Sequence, residues 1–407
     1  MPHAASQPTT FRRDRLTWTV YALLAWFAYL QAAPALLIGH LRDELDLSYS
    51  TGGLHVAAFA GGAMVAGVIS ARLERALGRR RLIWSAAAAM GAGAIELTAG
   101  AIAPVTIGSV LVMGIGGGVL LATLQAALAD HHVEGRTVAL AEANVAASTA
   151  YVGLVAVLSL AAALHAGWRV ALLASLAVPV LAWSRSRRVT VEAPLRSRTA
   201  HGGLPGVFWI AAAMLFCTTA AEWCVTAWGA SFVEDAAGVS TDASVSLMAG
   251  YFGGVLAGRL LGSRLARRQD PARLLALALA VTAAGFAILW PTTLPAQALA
   301  GLVLIGMGIG NLFPMGMSVT VALAPERAAL ASGRAVAVTS LAGLLAPLVV
   351  GPLADATSLK AALGIVPVLL ALAAVGLTFV ARAQTRTSGT RVARAAGAAA
   401  TGADRRP

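Results

Sequence analysis

Charge is what this chain has least of. Only 12% of its 407 residues are Asp, Glu, Lys or Arg, against about a quarter in a soluble domain. Hydrophobic residues make up 58%, and the mean hydropathy is +0.77. A water-soluble globule is excluded. Uncharged apolar runs of 18 or more residues read as membrane spans, because about 20 helical residues satisfy their own backbone while crossing ~30 Å of hydrocarbon. Cysteine is scarcer still. Cys217 and Cys224 lie seven residues apart in one apolar run, ~10 Å along a helix axis. That is too far for a disulfide, and neither has metal-ligand company, so both read as small apolar fillers.

Other absences narrow the function. No Gly-x-x-x-x-Gly-Lys-Ser/Thr phosphate loop occurs, which excludes an ATP-driven pump. No cleavage-type pattern precedes the first span, so residues 1–15, polar and basic, read as a cytoplasmic tail. The seven histidines mostly sit between spans, and no clustered acid–base or metal set stands out. The chain does not read as an enzyme, and no metal or cofactor is expected. His131-His132 beside Asp130 could bind a metal in principle, but a solvated loop is the preferred reading. The net charge of +12 does not point to nucleic acid, since the arginines form short clusters between spans and not one basic face.

What is there is a set of twelve spans. They cover 16–40, 47–71, two within 82–129 split near Pro104, 137–164, and a sixth over 165–184. The sixth needs Arg169 to snorkel to an interface. The second six are 206–233, 243–263, two within 274–325 split at Trp290–Pro295, 328–352 and 361–380. Alternate loops hold Arg12, Arg13 and Arg15, the stretch "ARLERALGRRRLI" at 71–83, and Arg136. Further along they hold the clusters at 185–198 and 264–273, then Arg327 and the tail. The opposite loops hold Arg42, Arg169 and Lys360, three of thirty basic residues. By the positive-inside rule both termini are cytoplasmic, in the inner (plasma) membrane.

The chain also repeats itself. A shift of 192 residues lays Gly61-Gly62 on Gly253-Gly254, Arg72-Leu73 on Arg264-Leu265, and Arg81-Leu82 on Arg273-Leu274. It also lays Gly114, Gly116 and Gly118 on Gly306, Gly308 and Gly310. The organisation expected is a tail (1–15), a six-helix half (16–184), a basic linker (185–205), a second half (206–381) and a basic tail (382–407). An even number of spans per half makes the repeats parallel.

With these features the chain resembles the major facilitator superfamily over Leu16 to Val380. That family carries Gly-x-x-x-Asp-Arg-x-Gly-Arg-Arg between spans two and three. Gly78, Arg79 and Arg80 match its end, whereas Ala71 and Arg75 stand where the first glycine and the aspartate belong. The resemblance implies an all-α fold of twelve helices in two pseudo-symmetric halves, with spans 1, 4, 7 and 10 lining a central cavity. It also implies a cytoplasmic lock through Glu74 and Arg79 or Arg80; a purely topogenic arginine cluster is the alternative. Glu222 with Trp228, Gly258-Arg259 and Gly262-Ser263-Arg264-Leu265 are similar to the fucose-permease-related sugar branch. The Gly-Pro pair of drug exporters is absent, since Leu154 follows Gly153.

Polar residues in the lining spans are the candidate site, because a polar group in hydrocarbon must face protein or a water-filled cavity. They are Gln31, Gln125, Glu222 and Asn311, with Trp26 and Trp228 as mid-depth aromatics. Interhelical hydrogen bonding is the competing role for Gln125, and close packing for Asn311. Glu142 is expected to pair with a loop arginine at an inner gate, with Arg264 and Arg334 near the same surface. Glu222 sits between Thr218 and Thr226 on one helix face and is the candidate proton-coupling acid. Burial penalises its charge, and no mid-membrane cation is found to oppose that. The substrate is accordingly read as a small neutral or cationic organic solute, sugar-like by preference. It is moved by a monomeric, proton-coupled secondary transporter using alternating access. Drug or metabolite efflux by proton antiport is the alternative. A membrane sensor or membrane-embedded enzyme is the reading of a different class.

Overall fold

The computed structural model describes residues 12–189, 191 and 203–383. Most of the expected linker and nearly all of the basic tail lie outside them. Among the described residues no strand occurs, and eleven helices are long and apolar enough to cross a membrane. The first five are α1 (Arg15–Leu36), α2 (Tyr49–Leu77), α3 (Arg79–Ala99), α4 (Ala103–His131) and α5 (Arg136–Ala163). The expected sixth span, α6, forms two pieces, Trp168–Ser175 and Ala177–Ser186. Pro179 explains the break: it has no N–H to offer the Ser175 carbonyl. The remaining helices are α7 (Gly206–Ala237), α8 (Thr241–Leu265), α9 (Pro271–Leu289), α10 (Pro295–Val321) and α11 (Ala328–Ala356). Last comes α12 (Leu359–Ala383), with a turn at 363–364.

The helix starts are written locally. Asp14 caps α1 by accepting from the Thr17 N–H at 2.9 Å, and Ser48 caps α2 from Thr51 at 3.2 Å, each answering one orphan donor of the first turn. The first span continues past Leu37 as a short helix, Ile38–Leu45, ending at Asp46 in the left-handed region. The arginine-rich stretch, expected as a loop, is helix on both sides of one corner residue. That residue is Gly78, at φ 73°, a conformation that side chains resist.

Small residues set the packing. In α4, Gly114 and Gly118 lie against the α2 backbone at Phe59 and Ala63, and Gly116 lies against α3 at Ala86 and Met90. In α10, Gly306 and Gly310 lie against α8 at Tyr251 and Val255, and Gly308 lies against α9 at Ala278 and Thr282. Every one of these pairs maps on its counterpart by the 192-residue shift. The repeat is therefore a repeat of contacts. Close helix approach of this kind supplies van der Waals attraction where lipid offers no hydrophobic drive. The outward faces are apolar, with Val68 72% and Phe379 53% exposed, a surface suited to lipid and not to water.

The described residues form two compact units. The first draws on the first 197 residues and includes Thr241–Ala249, the opening turns of α8; the second holds the rest. Within the first unit, α1 packs on α5, and α4 on both α2 and α3; within the second, α9 packs on α10, and α7 on α10 and α11.

Candidate functional site

At the basic end of the first unit, the chain concentrates its ion pairs. Arg79 opens α3 with a side chain only 3% exposed. Its Nε donates to Glu74 Oε1 at 2.6 Å and its Nη1 to Asp130 Oδ2 at 2.9 Å. The guanidinium thus joins the end of α2 to the end of α4. Arg80 points elsewhere: it is exposed, with no hydrogen-bond partner among the described residues. Of the residues expected in a cytoplasmic lock, Glu74 and Arg79 pair with each other, and Asp130 joins them.

Glu142 near the start of α5 pairs with the amino-terminal segment and not with a loop arginine. Arg13 Nε donates to its Oε2 at 2.8 Å, and Tyr21 donates its hydroxyl to the same oxygen at 3.0 Å. The hydrogen bond and charge of Glu142 hold the Arg13 guanidinium above its ordinary range. Beside it, partial burial pushes the Asp14 carboxyl up, but hydrogen bonds from the Thr17 N–H and hydroxyl and from His131 leave it below the usual range. His131 and His132 are thus partnered side chains and not a bare loop: His131 Nε2 lies 2.7 Å from Asp14, and His132 Nε2 lies 2.7 Å from the Thr17 hydroxyl. Arg264 and Arg334 in the second unit are exposed, with no partner among the described residues.

The opposite end of the first unit is also tied. Glu44 accepts from Arg169 at 2.6 and 3.0 Å and from the Trp168 indole at 2.8 Å. Burial pushes the Glu44 carboxyl up, and these partners more than reverse it, leaving it below its ordinary value. Trp168 is buried. His40 Nε2 lies 3.3 Å from Asp242, and the Thr241 hydroxyl donates to Asp43 at 3.1 Å. Glu96 is exposed, three residues from the end of α3.

In the middle of each unit the structure re-sorts the candidates. Gln31 accepts a hydrogen bond from the Tyr151 hydroxyl at 2.9 Å, joining α1 to α5. Gln125 is exposed and makes no side-chain hydrogen bond among the described residues, so interhelical bonding is not its role there. Trp26 does not line a cavity: it is 2% exposed and donates to Ser175 Oγ at 3.2 Å. Trp228 is 0% exposed, again a packed position. Asn311 also packs. Its Nδ2 donates to the Gly258 carbonyl at 2.8 Å, pinning α10 to α8.

Glu222 stands near the centre of α7, 16 residues from its start and 15 from its end, about 23 Å from either. One turn on, the Thr226 hydroxyl lies 2.7 Å from the Tyr251 hydroxyl of α8. The Arg259 guanidinium of α8 lies within electrostatic reach of the Glu222 carboxyl. Six residues from the end of α8, a long side chain spans the difference in depth.

The arrangement matches known transporters in fold. A D-xylose–proton symporter superimposes with a TM-score of 0.74 at 16% identity, over 90% of this chain and 96% of that one. A mutant of the nucleoside transporter NupG gives 0.72 at 11%, over 90% and 99%. A bacterial homologue of the human lysosomal transporter Spinster, inward-facing and occupied, gives 0.70 at 14%, over 93% and 98%. No curated relative matches the chain at a significant level. The sequence profile of the Major Facilitator Superfamily matches residues 17–269 and 211–403. With the helix set, the repeated glycine contacts and the outward apolar faces, that match makes this chain a member of the major facilitator superfamily, a multi-pass membrane transporter and not an enzyme.

Proposed function

We propose that the protein is a proton-coupled secondary transporter of the inner membrane, with both termini cytoplasmic, that moves a small polar organic solute by alternating access. A neutral, sugar-like solute is favoured. The observation that carries this reading is Glu222: a carboxyl at the centre of a membrane helix, one turn from the Thr226–Tyr251 hydroxyl pair and within electrostatic reach of Arg259. A carboxyl so placed gains a proton when open to the acidic side and loses it when open to the cytoplasm. While ionised it offsets Arg259, so the site as a whole presents little net charge to a neutral polyol. A D-xylose–proton symporter shares the fold, which is consistent with such a role.

A second reading follows from Arg259. Protonation of Glu222 unmasks that guanidinium, which would then hold an organic anion taken up together with the proton. Proteoliposomes under an imposed pH gradient separate the readings, using sugars, carboxylates and cationic drugs as solutes. Glu222→Gln mimics the protonated form, so it should abolish gradient-driven accumulation while retaining counterflow exchange. A variant that still concentrates solute with the wild-type dependence on the pH gradient rules Glu222 out as the coupling acid.

A further inference from the structure

Asp14, His131 and His132 converge at the basic end of the first unit. One ligating atom from each lies within 4.8 Å of the other two. His131 is the last residue of α4 and His132 its cap, at φ −111° and ψ 65°. This non-helical backbone turns the second ring beside the first: their centroids are 4.7 Å apart at 73°. Asp14 comes from the other side, as the cap of α1. Its Oδ1 is held by the Thr17 N–H at 2.9 Å and the Thr17 hydroxyl at 2.8 Å, which leaves Oδ2 aimed at His131 Nε2, 2.7 Å away.

We infer that these three side chains form a binding site for a borderline divalent cation such as Zn²⁺, closing the start of α1 onto the end of α4. Two imidazole nitrogens and one carboxylate oxygen suit Zn²⁺, Co²⁺ or Ni²⁺ and not Mg²⁺ or Ca²⁺, which prefer all-oxygen sets. Ligands at about 2.0–2.1 Å around a tetrahedral ion stand about 3.3 Å apart. The His131–Asp14 pair must therefore open by roughly 0.6 Å, which rotation of two partly exposed side chains supplies. A water takes the fourth position. Thr17 orients the carboxylate through its far oxygen, the supporting role that outer groups play at metal sites. Glu142, whose charge reaches His132, is occupied by Arg13 and Tyr21, and Asp130 by Arg79. The donor set therefore stops at three.

The test uses the full chain, free of any affinity tag, stripped with chelator and titrated with ZnCl₂ by calorimetry. One saturable site per chain is expected, with His131→Gln and His132→Gln each weakening binding at least ~10-fold. Co²⁺ added to the unaltered chain gives a readout that needs no variant. Intense visible absorption bands of four-coordinate Co²⁺, bleached by added Zn²⁺, support the site. An isotherm unchanged in the His131→Gln/His132→Gln double variant would overturn it, as would a Co²⁺ spectrum no different from that of the ion in buffer.

Discussion

Removing Arg79 gives the sharpest test of the ion-pair geometry, because the sign of a second substitution is fixed by it. The guanidinium is buried between Glu74 and Asp130, at 2.6 and 2.9 Å. Breaking a buried ion pair from one side costs about 3–5 kcal/mol, because the other charge is left unopposed. Here the two acids keep 19% and 16% of their side chains exposed. Water relieves part of that load, and about 1–3 kcal/mol remains. In Arg79→Ala the Tm of the detergent-purified protein should fall by several degrees, since about 1 kcal/mol moves a domain of this half's size by ~2–4 °C. Arg80→Ala, at an exposed neighbour, should change Tm little. The decisive variant is Arg79→Ala/Asp130→Asn. Neutralising one of two unopposed acids should raise Tm above that of Arg79→Ala alone, whereas Asp130→Asn by itself should lower it. If Asp130→Asn destabilises in both backgrounds, or if Arg79→Ala and Arg80→Ala behave alike, the three-residue lock is wrong.

Other outcomes follow from features described above. Gly114→Ala and Gly306→Ala each push a methyl into a facing backbone and should cost about 1–3 kcal/mol. Gly153→Ala, with open space around it, should be neutral or slightly stabilising by thermal shift. Glu44 has a depressed folded-state value, so its contribution is present above the unfolded value of about 4.3 and lost as pH falls through the folded one. Glu44→Gln should flatten the acid limb of a Tm–pH curve, and an unchanged limb would mean the Arg169 pairing is not felt. For topology, single cysteines replacing Arg42 and Arg196, in a chain with Cys217 and Cys224 changed to Ala, should be labelled from outside and from inside respectively. Labelling of position 196 alone from outside would invert the orientation.

The spans were legible because hydrocarbon imposes one requirement on every crossing segment, that it carry few charges over about 20 residues. The repeat was legible too, since Gly114 and Gly306 are spaced by contacts that both halves reuse. The facing of side chains was not. A helix that is apolar all round gives no amphipathic signal to say which way a residue points. The depth of Trp26 and Trp228 could be counted along the helix, but their burial against neighbouring helices could not. Asp130 and Tyr151 were missed for a related reason. Each owes its role to a partner 51 or 120 residues away, Arg79 and Gln31, and nothing local announces such a pairing. Arg259 lies six residues from the end of α8, and the reach of its charge toward Glu222 lies outside what a residue count conveys.

The fixed 192-residue offset between matching contacts also limits how this chain can change length. One residue inserted within α4 would rotate everything beyond it by about 100°, carrying side chains into the seams that Gly114, Gly116 and Gly118 keep open. Insertions can accumulate only at the corners between helices, and the two halves stay in step for as long as both keep those seams. Each half is thereby a reference for the other. At these seams, a substitution made at one glycine and again 192 residues later meets the matching backbone in the same molecule. Any difference between the two results measures how far the twin halves have diverged in what they do.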